Sequence, residues 1–166
     1  MNINIMIAVL VGMILCHLLA DYPLQGWLAQ SKAKSYWASS PESNRRDWIA
    51  ALACHAAMWG ILIMVPMAIA SKMELGWFWM ALPINIVLHM FVDHMKANRQ
   101  IINLIQDQTI HFVQILGTWG VWSGICCNNT LASGIAFGVC FGIMLTMDII
   151  YIIVQEVQEN KKDQHK

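Results

Sequence analysis

Five long apolar runs decide what this chain can fold into. They are Ile3–Ala20, Trp48–Ala70, Gly76–Val92, Ile110–Cys127 and Leu131–Val154. Each is close to the roughly 20 residues a helix needs to cross about 30 Å of hydrocarbon. Backbone groups in lipid must be satisfied within their own segment, which a helix does. The expected fold is all-α: a polytopic transmembrane helix bundle of about five spans. Residues 1–154 form one domain, followed by a polar cytoplasmic tail at 155–166. Only 12% of residues are charged, against about 25% in soluble domains. Net charge is zero and no basic stripe occurs, which excludes a nucleic-acid partner and leaves the lipid bilayer as the expected one. The first run has no preceding Lys or Arg and ends in His17 and Asp21, so it is expected to be a mature span rather than a signal peptide. Pro66 and Pro83 lie inside runs and are expected to kink them.

Loop charges set the orientation. Lys32, Lys34, Arg45 and Arg46 follow the first run, Lys96 and Arg99 follow the third, and Lys161, Lys162 and Lys166 follow the fifth. The alternate loops hold Lys72 alone. The positive-inside rule therefore places the N-terminus outside and the C-terminus in the cytoplasm. Leu24, Trp27 and Leu28 share one helical face and predict a short interfacial helix. The cysteines, Cys16, Cys54, Cys126, Cys127 and Cys140, are odd in number and contain no CxxC; they are expected to be packing residues.

Ionisable residues inside such spans cost about 3 kcal/mol or more each at the bilayer centre, so they are functional candidates by default. Here they come in pairs: His17 with Asp21, His89 with Asp93, and Asp107 with His111, each spaced i, i+4. That spacing puts both side chains on one helix face, within reach of a common metal ion. His55 lies early in the second run. With alternating spans, all seven residues fall at the cytoplasmic end, and the outer halves hold no charged residue or His. The stripe continues through Asn85 and Lys96 on the third run, and through Gln114 and Thr118 on the fourth. A single His is more often a hydrogen-bonded packing residue, and a single His/Asp pair a salt bridge that fixes helix register. Seven such residues from four spans at one depth are too heavy a desolvation burden for packing alone. Asp148 has no His partner at i, i+4, and His94 and His165 lie off the stripe.

With those residues in hand, the chain resembles a family of small bacterial and phage membrane proteins known as domain of unknown function 3307. The resemblance rests on His17-Leu-Leu-Ala-Asp21 with Leu24-Gln25, on His55, on His89-Met-Phe-Val-Asp93 with Lys96, and on Asp107-Gln108 with His111. It includes a lysine after the first motif, either Lys32 or Lys34, and covers roughly Leu10 to Gln114. It supports the residue set and implies no reaction.

The expected function is a membrane-embedded metal-dependent hydrolase acting on a lipid or lipid-linked phosphate or acyl substrate at the cytoplasmic leaflet. His17, Asp21, His55, His89, Asp93, Asp107 and His111 are the candidate ligands for one or two divalent ions, Zn, Mn or Fe. Asp21 or Asp107 would be the general base, and Lys96, with Lys32 or Lys34, would hold a phosphate. A di-iron lipid-modifying oxidative enzyme is the alternative, since the site mixes His with carboxylate. A proton or ion pathway is a third, although it needs polar residues in both leaflets. Oligomeric state stays open.

Overall fold

The apolar runs become helices and the polar stretches between them become short turns. The structure, a computed structural model, describes residues 1–71 and 75–129, and, of residues 131–146, all but 137, 141, 144 and 145. Its longer elements are α1 (Ile3–Asp21), α2 (Leu28–Ser31), α3 (Asp47–Ala70), α4 (Leu75–His94) and α5 (Leu104–Cys126). Two 3₁₀ turns, Lys34–Trp37 and Glu42–Asn44, precede α3, and a π-helical turn, Met95–Arg99, follows α4. No strand occurs among the described residues. Half of the expected fifth span, the tail and Lys72 lie outside the described residues, and so do Asp148 and His165.

Among the described residues, three helical stretches are long and apolar enough to cross a membrane: Ile3–Asp21, Glu42–Ala70 and Gly76–Arg99. The helix α5 has comparable length, but Asp107, His111, Gln114 and Thr118 lower its apolar character. It also begins a turn and a half before the apolar run does. Asn103 is the reason: its side chain accepts from the Gln106 N–H at 2.9 Å, while Gln106 Oε1 accepts from the Asn103 N–H at 2.9 Å. This capping box satisfies two of the orphan donors at a helix start and brings Asp107 into the first turn. The expected interfacial helix is shorter than its apolar face suggests, a single turn at Leu28–Ser31.

The four long helices close a ring in which α1 packs on α3, α3 on α4, α4 on α5, and α5 on α1. The ring is apolar outside. Ile3, Ile7, Val11 and Leu15 of α1, Ile61 and Ile69 of α3, and Trp79 and Val87 of α4 are all exposed. Inside, one half is an apolar core of Met13, Trp59, Ile63, Met64, Met67, Ile115 and Trp122. The other half buries His17, Asp21, His55, His89, Asp93, Asp107 and His111. An apolar exterior around a charged interior is the arrangement a lipid solvent selects.

Small residues allow the helices to approach closely. A Cβ at Gly60 would stand 2.8 Å from Ile86 Cγ1, and one at Gly12 would stand 3.1 Å from Pro66 Cγ. Gly60→Leu should therefore push α3 off α4 at a cost of about 1–3 kcal/mol. Thermal unfolding in detergent should show a lowered Tm, whereas Gly76→Ala, which meets nothing within 4 Å, should leave it unchanged.

Candidate metal centre

Antiparallel neighbours bring the end of α1, the start of α3, the end of α4 and the start of α5 to one end of the ring. The six residues paired by the i, i+4 spacing meet there with His55, and each of the seven is at most 7% exposed.

The contacts sort them into two groups. His55 Nε2 stands 3.2 Å from His89 Nε2, 3.4 Å from Asp21 Oδ1 and 3.3 Å from Asp93 Oδ2. His89 Nε2 is 3.8 Å from both Asp21 Oδ1 and Asp93 Oδ2. Charge-assisted hydrogen bonds close to about 2.7–2.9 Å. The His55–His89 contact is within hydrogen-bond range, but the His–carboxylate separations of 3.3–3.8 Å instead surround the roughly 3.4 Å between neighbouring ligands of a tetrahedral ion held at about 2.1 Å. On the far side of Asp93, His111 Nε2 is 3.7 Å from Asp93 Oδ1 and 3.4 Å from Asp107 Oδ1. Two buried sets, Asp21–His55–His89 and His89–Asp93–His111, can each offer three donors to a metal ion. They share His89, and Asp93 turns one oxygen to each side.

Unsatisfied atoms reinforce this. Asp21 Oδ1, Asp107 Oδ1 and both nitrogens of His111 are buried without a hydrogen-bond partner. Buried polar atoms are ordinarily paired, and an orphan costs about 1–3 kcal/mol. The Nδ1 atoms of His55 and His89 are also unpartnered, so no carboxylate sits behind these rings to orient them. Stacking holds His89 instead: Trp59 lies 4.1 Å from it at 17°, and His111 packs 4.2 Å away on it at 28°.

His17 stands apart from the donor sets. Its Nδ1 accepts from the Trp59 indole N–H at 2.8 Å. An indole nitrogen only donates, so Nδ1 carries no proton and Nε2–H is left to donate to Gln108 Oε1 at 3.1 Å. Both nitrogens are therefore engaged. The Gln108 amide then donates to Asp21 Oδ2 at 3.2 Å and to Asp107 Oδ2 at 3.1 Å. His17 thus orients Gln108, and Gln108 fixes two of the carboxylates.

Two lysines complete the charge. Lys32 Nζ donates to Asp93 Oδ2 at 2.6 Å, and Lys96 Nζ to Asp107 Oδ2 at 2.5 Å. Lys34 instead lies over the Trp48 ring at 4.7 Å, so of the two lysines the sequence leaves open only Lys32 reaches the site. Asn98 sets this choice from the π turn. It donates to the Lys32 carbonyl at 3.0 Å and accepts from the Lys34 N–H at 2.6 Å. His94 faces away and stacks on Trp48 at 5.4 Å. A cavity of about 310 Å³ opens over the cluster, lined by Asp21, Gln25, Lys32, Asp93, Lys96 and Gln108 among others.

Trp59 and Gln108 are the partners that spacing alone does not pick out as site residues, although Trp59 stands at i+4 from His55 and Gln108 adjoins Asp107. The division of labour is testable by plasma mass spectrometry of the purified protein. His55→Ala and His89→Ala should lose bound metal. His17→Ala should keep it and lose about 1–3 kcal/mol of stability. A folded His17→Ala protein without metal would overturn the assignment of His17.

No curated protein and no solved structure matches the chain. Residues 9–133, well over half of its length, match the family described as Protein of unknown function (DUF3307). The chain therefore belongs to the DUF3307 family.

Proposed function

We propose that the protein is an integral membrane metal-dependent hydrolase of a lipid or lipid-linked substrate, with its site at the cytoplasmic leaflet. In this reading the chain crosses a bacterial inner membrane about five times, with its N-terminus outside. One observation carries the hydrolase reading: Asp21, His55 and His89 place three donor atoms within reach of one ion, with Asp93 Oδ2 3.3 Å from His55 Nε2, beneath a cavity that opens to the surface. A divalent ion there, Zn, Mn or Fe, would supply a nucleophile at neutral pH and polarise a phosphoryl or acyl oxygen.

The surrounding side chains then have separate tasks. Asp21, His55 and His89, with Asp93, would hold the ion, and His111 faces the second oxygen of Asp93, where a second ion would bind. Asp107 is the better general base of the two expected candidates. Its Oδ1 is free, while Lys96 and Gln108 hold its Oδ2. Asp21 Oδ1 belongs to the donor set. The apolar envelope keeps water to the cavity side.

The position of Asp93 between two donor sets also favours the second reading, a di-iron oxidative enzyme, because a carboxylate with one oxygen toward each set is suited to bridging two ions. Ion translocation has less support. Beyond Thr118 the described interior is apolar through Met67 and Trp122.

Metal analysis separates these readings: zinc or manganese favours hydrolysis, and two irons with a visible or Mössbauer signal favour oxidation. Protein that carries no metal after gentle purification, and is indifferent to His89→Ala, would rule out both. On the hydrolytic reading, Asp107→Asn should retain metal but lower turnover of a phosphatidic acid or acyl-lipid substrate about 10²–10⁴-fold.

A further inference from the structure

The lysines are placed as a pair, each on a carboxylate of the cluster, and Asp93 cannot serve a lysine and an ion equally. Asp93 Oδ2, which accepts from Lys32, is the same oxygen that faces His55 and His89. Asp107, which accepts from Lys96, is the partner of His111. Counting the histidines as neutral, three carboxylates against two ammonium groups leave one negative charge in the buried cluster. One divalent ion reverses that to a single positive charge, and an anion is then favoured.

Both lysines line the cavity mouth, beside Tyr22, Gln25 and Leu104. Lys32 is nearly buried, whereas the Lys96 side chain is 31% exposed. Leu104 of the lining is an exposed apolar residue, and so are Leu24, Trp27 and Ile105, close in sequence to lining residues. Exposed amphipathic and aromatic side chains of this kind anchor at headgroup level.

We propose that Lys32 and Lys96 form a phosphate subsite coupled to the metal centre: when an ion binds at Asp93, beside the Asp107–His111 pair, the two ammonium groups turn from Asp93 and Asp107 to a phosphate group in the cavity. The inference rests on the metal-dependent reading and narrows it, choosing phosphate over acyl ester. Its chemical basis is the ammonium group itself, a point charge that binds phosphate but offers nothing to a neutral ester carbonyl that the metal does not already supply. Metal and phosphate should accordingly tighten each other by one common factor, as linkage requires.

The test uses the full chain in detergent and a chromophoric chelator that competes for zinc or manganese. Inorganic phosphate should raise metal affinity about tenfold or more. Lys32→Met and Lys96→Met should each bind metal at least as tightly as the wild type without phosphate, and lose the phosphate effect. Lys96→Arg should retain part of it. Nanodiscs containing phosphatidic acid, compared with phosphatidylcholine alone, repeat the measurement with a lipid-borne monoester. A response to phosphatidic acid supports a lipid headgroup as the ligand; a response to inorganic phosphate alone supports the subsite with a soluble ligand. Metal binding that ignores both, or a phosphate effect that survives in the Lys32→Met/Lys96→Met double variant, overturns the proposal while leaving the metal centre standing. Absence of metal binding in the wild type would remove the centre itself. Should Lys32→Met fail to fold, the more exposed Lys96→Met decides the question alone.

Discussion

Charge burial inside an apolar envelope is the constraint from which the rest of this structure follows. Asp21, Asp93 and Asp107 are almost fully enclosed, and the helices around them turn apolar side chains outward. Ionised carboxylates in such a place need compensation. Lys32, Lys96 and Gln108 supply it to one oxygen of each carboxylate: Oδ2 of Asp93, Asp107 and Asp21. The compensation stops short, because Asp21 Oδ1 and Asp107 Oδ1 have no hydrogen-bond partner and His111 has none on either nitrogen. A polar network kept only for packing would gain by closing these last contacts or by being replaced with apolar side chains. An incomplete network with its free atoms facing one another is suited to holding something at its centre.

The sequence made the donor layer legible because helical geometry is local. A His and an Asp four residues apart must share a face, and alternating spans must bring early and late positions to the same end. His17, Asp21, His55, His89, Asp93, Asp107 and His111 come together on that logic. The logic cannot see what each ring nitrogen touches. His17 shares the spacing of His89 but is engaged by Trp59 on one side and Gln108 on the other. Nor can periodicity reach into turns. Lys32 and Lys34 are equivalent in a loop until Asn98 binds the backbone around them and leaves Lys32 facing Asp93. The start of α5 was hidden for a related reason: a capping box is a pair of side-chain contacts at Asn103 and Gln106, and it lies outside the apolar run.

Trp59 shows how the two halves of the interior depend on each other. It belongs to the apolar core with Met13, Ile63 and Met64, yet one face stacks on His89 and its N–H binds His17. A large rigid ring at the boundary transmits the packing of the dry half to the imidazoles of the polar half. This substitutes for the carboxylate that commonly orients a metal-binding histidine from behind, and it explains how His89 keeps its position with an unpartnered Nδ1.

The elements that carry these groups differ in kind, and the difference fits the chemistry proposed for them. All the donors stand on the four long helices, where neighbouring turns fix each side chain. Both lysines stand just past helix ends, Lys32 after the single turn of α2 and Lys96 in the π turn that extends α4. A π turn departs from the regular helical ladder and recurs at functional sites for that reason. Groups that must hold an ion benefit from the rigid positions. Groups that must exchange one anionic partner for another need long, flexible side chains on less regular backbone, close enough to neutralise the carboxylates and free enough to leave them. The placement of rigid acids beneath adjustable ammonium groups is what allows charge to be redistributed at the cavity mouth without repacking the bundle.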